Sequence, residues 1–274
     1  CSANNKRTLV VVMNDKDSEI RMSPNRLVSR IAEHSAMEII LTGKDAMRHP
    51  AFKKVVSDIA MFKNVTLRTT GNTLQTYADG KHTEDLAVIG NALTAIEFDV
   101  YSPHMMVNKR LLGLKTPVSF ITLSRTVMQA LPRKLQVRVR TPLLKGGVDT
   151  DTALIQMIYL AQSLCATNIT FYEVPDKTFS EGFIQAATFP IFNERKHMKH
   201  LEPFLDGCTV TDQLWFDTLS VTLKTCCGHV SPEHFMPPTL SGYCQQTEAL
   251  LPDGSIVPYD FCKQPTTVKD DEEE

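Results

Sequence analysis

No apolar run in the 274 residues approaches the ~20 that a membrane-spanning helix needs, so the sequence offers no membrane partner. Neither sign of charge dominates. Twenty-nine Lys and Arg stand against 31 Asp and Glu, a net charge of −2, and no global basic field argues for nucleic acid. There is no Walker-type loop, no Rossmann glycine fingerprint and no Gly-x-Ser-x-Gly elbow, which removes the common nucleotide and hydrolase signatures. Tryptophan occurs once. No Cys-x2-Cys pair is present, although that spacing is the strong signal for a thiolate metal site. The seven cysteines are odd in number, in a chain long enough to build its own core, which argues against a pure disulfide framework.

What is present is a rhythm of strands and helices. Hydrophobic residues make up 42% of the chain, enough for a core, and the length suits one large α/β domain or one domain with a small appendage. Thr8 to Met13 is strongly β-prone. Ser23-Pro24 reads as a helix cap with Pro in the first turn, and Leu27, Val28, Ile31 and Ala32 share a helical face. Glu38 to Leu41 reads as a buried strand that opens through Gly43 into a helix carrying Phe52, Val55, Val56 and Ile59. Strands are expected at 65–69, 96–101, 137–142 and 169–173, with helices over 83–93 and 151–165. Val118 to Leu123 has strand propensity, but Thr116-Pro117 is also a good helix start. This alternation is the pattern of parallel β/α repeats, barrel or doubly wound. Ligands in such folds sit at the carboxyl ends of strands, which singles out Gly43 to Asp45.

After Pro175 the character changes. Residues 176–205 are irregular and carry the basic run Arg195 to His200, which reads as a solvated face. Leu214 to Lys224 reads as a strand pair or a short helix. Residues 226–262 are rich in Pro and Gly and hold Cys226, Cys227, Cys244 and Cys262. Bound metal, disulfides and free thiols are all open for these four. A metal would explain how so loop-rich an element holds its shape. Lys269 to Glu274 is an acidic tail, expected to be solvated and disordered.

Four segments resemble, in order, those of radical S-adenosylmethionine enzymes. The first is Leu41-Thr42-Gly43-Lys44-Asp45-Ala46 with His49-Pro50 and Phe52. It parallels the family's strand, Gly-Gly-Glu-Pro motif and His-Pro turn, though only the first glycine is intact. The second, Leu67 to Asn72, resembles a strand ending in Thr-Asn-Gly. The third, Val137 to Asp149, resembles the strand and Gly-Val-Asn loop that grips the cofactor's adenosine. The fourth runs from Cys244 through Pro252-Asp253-Gly254 to Cys262 and resembles an auxiliary-cluster tail.

The resemblance implies a partial parallel (β/α)6 barrel, TIM-like, over residues 1–175, a Cys-bearing extension over 176–265 and a tail over 266–274. It implies S-adenosylmethionine and a [4Fe–4S] cluster as cofactors, with an auxiliary cluster or zinc in the extension. It further implies a cytoplasmic protein that cleaves the cofactor reductively, with a reductant protein as partner. The substrate is a small molecule, peptide or nucleotide that the sequence does not name. Gly43, Lys44 and Asp45 would hold the cofactor's amino group. Thr70 would lie at the same site, and Arg138 or Arg140 would pair with its carboxylate. Val148 and Asp149 would border the adenine. Cys1, Cys226, Cys227, Cys244 and Cys262 are the candidate metal ligands.

One departure is large. The family carries Cys-x3-Cys-x2-Cys before its first helix, and here only Cys1 precedes that helix. On one view Cys1 is the third of those cysteines, with the first strand and the other two upstream. On the other view Thr8 to Met13 is the first strand, its loop has no thiols, and the protein is a cluster-less binding or assembly scaffold. Cys1-Ser2-Ala3-Asn4-Asn5-Lys6 also fits the start of a mature lipoprotein. The resemblance to cytoplasmic enzymes favours a point partway along a longer chain.

Overall fold

Thr8 to Val12 is β-branched almost throughout, and this stiff segment takes the centre of one half of the sheet. The computed structural model describes residues 8–13, 22–43, 45–77, 82–124, 131, 135–172, 209–215, 218–222 and 247–258. In chain order the elements are β1 (Thr8–Val12), α1 (Pro24–Glu33), β2 (Glu38–Thr42), α2 (Phe52–Ala60), β3 (Asn64–Thr69), α3 (Asn72–Thr76), α4 (Thr83–Ala92), β4 (Ala95–Asp99), α5 (Met105–Leu111), α6 (Phe120–Thr122), β5 (Gln136–Pro142), α7 (Asp151–Ser163), β6 (Asn168–Tyr172), β7 (Thr209–Trp215), β8 (Thr218–Thr222), β9 (Thr247–Leu250) and β10 (Ile256–Pro258). A 3-10 turn, Ala46–Arg48, lies between β2 and α2.

Local chemistry sets the helix ends. Ser23 Oγ accepts from the Arg26 amide and Pro24 fills the first turn of α1. Thr150 Oγ1 accepts from the Ala153 amide to start α7. Ser119 Oγ accepts from Thr122 N, so the helix begins at Phe120 and not at Thr116-Pro117. The reason is tertiary. Gln75 of α3 donates to Pro117 O and accepts from Ser119 N, which holds 117–119 extended.

The strands form one open sheet in the order β10-β9-β1-β2-β3-β4-β5-β6-β8-β7. From β9 through β6 every neighbouring pair is parallel, and the pairs β10–β9, β6–β8 and β8–β7 at the two ends are antiparallel. The β/α rhythm read over residues 38–173 is therefore the parallel body of a partial, unclosed barrel. The sheet does not stop near residue 175. Strands β7 and β8 extend it beyond β6, and β9 lies beside β1 although more than 230 residues separate them in sequence.

The Pro252-Asp253-Gly254 motif, read as part of an auxiliary-cluster tail, is the turn of the β9–β10 hairpin. Gly254 has φ +92°, and Asp253 Oδ1 accepts from both Ser255 N (2.8 Å) and Ser255 Oγ (2.7 Å). The hairpin is fastened to the first β/α unit. Met22 N donates to Pro252 O at 3.1 Å, Arg30 Nη2 to Gly254 O at 3.4 Å, and His34 Nε2 lies 2.8 Å from Glu248 Oε2.

The two faces of the sheet differ. Leu9, Val11, Ile39, Leu41, Val65, Leu67, Ile96, Phe98, Val137, Val139, Ile169 and Phe171 are buried in one core with Leu27, Ile31, Val55, Ile59, Leu154 and Ile158 of the helices. Each such side chain contributes roughly 1.5–3 kcal/mol by leaving water. Alternate residues point the other way. Near β1 that second face is apolar, with Val10, Ile40 and Ala249 packed together. Across β3, β4 and β5 it carries Arg68, Glu97, Asp99, Arg138 and Arg140. Parallel strands are usually apolar on both faces, so this charge is an exception.

Candidate functional site

The carboxyl ends of the parallel strands form one rim. Gly43 ends β2 with φ +142°. A Cβ there would lie 2.2 Å from Met13 O, because the ends of β1 and β2 close on each other through Met13 N donating to Thr42 O at 2.7 Å. The glycine read as a place for close ligand approach is thus required first by the protein's own backbone. Asp45 is buried two residues on and accepts a hydrogen bond from Thr73 Oγ1 of α3. The carboxylate read as a ligand for an amino group is tied to the next β/α connection. Removing the donor should be costly: Thr73→Val is expected to destabilise by about 1–3 kcal/mol, read by urea unfolding. Lys44 lies outside the described residues.

Thr70 follows β3 and its Oγ1 accepts from Asn72 N at 3.4 Å. Asn72 Oδ1 in turn accepts from Thr116 Oγ1 at 3.0 Å. Val148, after β5, is wholly buried in the hydrophobic core. Asp149 is exposed, and its Oδ2 accepts from Gly146 N at 2.8 Å, closing its own turn. Gly147 presses on the loop after β4, where a Cβ would meet Tyr101 O at 2.5 Å. The connections after β2, β3 and β5 therefore hold residues from three of the four predicted segments at one end of the sheet. A small crevice at the same end of β1 is lined by Val12, Met13, Met22, Leu27, His49 and the Leu251-Pro252 turn.

Arg138 and Arg140 share one face, as their alternate spacing requires, opposite the described helices. The sequence reading missed the other members of that face. Arg68 Nε sits 2.6 Å from Glu97 Oε2, with the two residues 3% and 5% exposed. Arg140 Nη1 sits 3.3 Å from Asp99 Oδ1. Arg138 Nη1 reaches Glu38 Oε1 at 3.6 Å across two intervening strands, and its Nη2 donates to Gln136 Oε1 at 3.0 Å. The register places Glu97 beside both Arg68 and Arg138, and Asp99 beside Arg140. The signal was in the sequence: Leu67-Arg68, Ile96-Glu97-Phe98-Asp99 and Val137-Arg138-Val139-Arg140 each alternate apolar with charged.

The two carboxyls of β4 differ. Burial would push Glu97 up, but the guanidiniums of Arg68, Arg140 and Arg138 outweigh it and hold the carboxyl below its usual range. Burial pushes Asp99 up. Arg140 and Arg68 oppose that rise without cancelling it, and the charge of Glu97 adds to it.

Strand β1 has β2 on one side and β9 on the other. Thr8 to Val12 is the strand that leads into the first helix. The connection that follows, residues 13–23, contains no cysteine. That connection therefore offers no thiolate for a cluster. Cys1, Cys226, Cys227, Cys244 and Cys262 lie outside the described residues, as does the basic run 195–200. Among the described residues no three His, Cys, Asp or Glu side chains group as a metal site. None of the described helices is long and apolar enough to cross a membrane.

No family model matches the sequence, and no curated protein matches it. Among solved structures the chain is similar to coproporphyrinogen III oxidase (HemN) from Escherichia coli, described as a radical SAM enzyme. The TM-score is 0.44 at 9% identity, and the overlap covers 80% of this chain but 56% of that one, so this chain spans only about half of that protein's length.

Proposed function

We propose that this chain is a cluster-less relative of the radical S-adenosylmethionine enzymes, a binding scaffold that takes S-adenosylmethionine or a related adenosyl thioether at the carboxyl rim of its sheet. One observation carries the reading. Gly43-Asp45, Thr70-Asn72 and Gly146-Asp149, the segments whose sequences resemble the family's cofactor loops, follow β2, β3 and β5 at the same end of one parallel sheet. Such rims are where β/α folds gather ligands. In this reading Arg140 and Arg138 supply positive charge for a carboxylate, and the Val148 loop flanks the nucleoside.

The chemistry of the family is a separate matter. A cluster held by three thiolates would supply the reducing chemistry, and the connection after β1 offers no thiolate to hold one. No cleavage step is assigned to this chain. The catalytic reading would need Cys1 or the cysteines of residues 226–262, together with a reductant protein.

Anaerobic reconstitution with iron and sulfide, followed by equilibrium dialysis with S-adenosylmethionine and S-adenosylhomocysteine, tests both parts. The expected result is a colourless protein that binds a nucleoside without retaining stoichiometric iron. A brown protein that converts S-adenosylmethionine to 5′-deoxyadenosine under reduction would overturn the scaffold reading in favour of the enzyme. No binding of either nucleoside would remove the ligand assignment.

A further inference from the structure

We propose that Asp99 is a displaceable counter-ion: a carboxylate on the ligand takes its place on Arg140, and Asp99 accepts a proton as it lets go. The inference rests on the proposed ligand class and adds a proton to its binding.

The geometry separates Asp99 from its neighbours. Asp99 is the last residue of β4, so it stands at the rim, whereas Glu97 lies one rung deeper on the same face. Glu97 is held at 2.6 Å by Arg68, which leaves it no freedom to change partner. The Arg140 contact to Asp99 is looser, at 3.3 Å, and the Asp99 side chain keeps 15% of its surface exposed. Among the described residues, the charged groups acting on Asp99 are Arg140 from β5, Arg68 from β3 and Glu97 from its own strand, while Arg138 of β5 reaches Glu38 of β2. From β6 the register brings only neutral Thr170 opposite Arg140.

Charge arithmetic then chooses the ligand. Among the described residues Arg68 pairs with Glu97, Arg138 with Glu38 and Arg140 with Asp99. An incoming anion at Arg140 adds a negative charge to this largely buried face. The group that yields is Asp99, at the rim on the looser contact, whose burial the arginines do not cancel, and not Glu97, whose burial they outweigh. The balance is one ligand carboxylate in, one proton taken from solvent onto Asp99, and one Arg140 ion pair exchanged for another. A monoanionic carboxylate is accommodated, and a lone cation is not. The ammonium of a zwitterionic aminocarboxylate would need its own acceptor elsewhere on the rim.

The test measures protons. Calorimetric titration with S-adenosylhomocysteine in two buffers of different ionisation enthalpy is expected to show uptake approaching one proton per ligand. Affinity should weaken as pH rises above the Asp99 range, by at most about tenfold per pH unit. Asp99→Asn is expected to bind at least as tightly, with no linked proton and no pH slope. Proton release, an unchanged slope in Asp99→Asn, or loss of binding in that variant would overturn the proposal. A second readout does not depend on nucleoside binding. The Asp99 carboxyl resonance, assigned by its loss in Asp99→Asn, should titrate above the usual carboxylate range and move higher still with excess methionine as the carboxylate probe. If it titrates in the ordinary range, or ignores methionine, the counter-ion is not displaceable. If neither nucleoside binds while the methionine effect holds, the ligand assignment fails and the exchange at Arg140 stands.

Discussion

Arg68→Met will cost about 3–5 kcal/mol of stability, the usual penalty for removing one partner of a buried ion pair. Glu97 would keep its burial and lose its closest cation, leaving a carboxylate that the fold cannot solvate. Urea unfolding of the variant and the parent, read by circular dichroism, measures the difference. The double replacement Arg68→Met with Glu97→Leu should recover most of the loss, because two apolar side chains of similar volume avoid the desolvation of both charges. A double variant as unstable as the single one would mean that the wider network, and not this pair, holds the face together.

The pH dependence has a definite sign. The folded-state pKa of Glu97 is depressed, so the folded protein binds fewer protons there than the unfolded chain. Its stabilisation is fully present above the unfolded value of about 4.5 and is lost as pH falls through the lower folded value. In Arg68→Met the closest cation is gone, the carboxyl moves up, and protonation relieves the buried charge. The gap between parent and variant should therefore narrow as pH falls. A gap that stays constant with pH would show that Arg68 acts through packing alone.

Gly43→Ala is the second large effect expected. A Cβ 2.2 Å from Met13 O overlaps backbone, which cannot swing aside as a side-chain tip would. The residue also sits at φ +142°, which L residues avoid. Strain and overpacking together should cost roughly 3 kcal/mol or more, a fall of about 6–12 °C in Tm for a protein of this size. Gly113→Ala is the matched control. Its φ is +61°, but no atom lies within 4 Å of the added methyl, so it should lose only about 1–2 kcal/mol. Equal losses at the two positions would show that the conformation matters and the approach to Met13 does not.

Much of the parallel body was legible in the sequence because its signals are local. Val65 to Thr69 and Val137 to Thr141 announce strands by β-branched alternation, Ser23-Pro24 announces a helix start, and the Gly-containing turn after Leu41 joins strand to helix. The pairing of Arg138 and Arg140 on one face follows from a period of two. What those arginines meet does not. Glu97 and Asp99 lie some forty residues earlier, and only the register of β4 against β5 brings them opposite. Gly43 was read as room for a ligand, since nothing nearby in sequence says that the carbonyl of Met13, thirty residues before it, occupies that space.

The C-terminal stretch shows the same division most sharply. Prolines and glycines over 226–262 look like an appendage with no core of its own. Yet Thr247 to Leu250 is a parallel neighbour of β1, and its hairpin is tied to the first β/α unit by Met22, Arg30 and His34. A four-residue strand has too little pattern to declare its partner. The partner is chosen by the edge that β1 leaves open, which exists only once the sheet has formed. Sequence thus carried the periods, the caps and the absence of thiols between residues 13 and 23. Strand neighbours, the place of β1 between β9 and β2, and the charge network came from the assembled sheet, because hydrogen bonds and ion pairs between distant segments leave no local trace in either one.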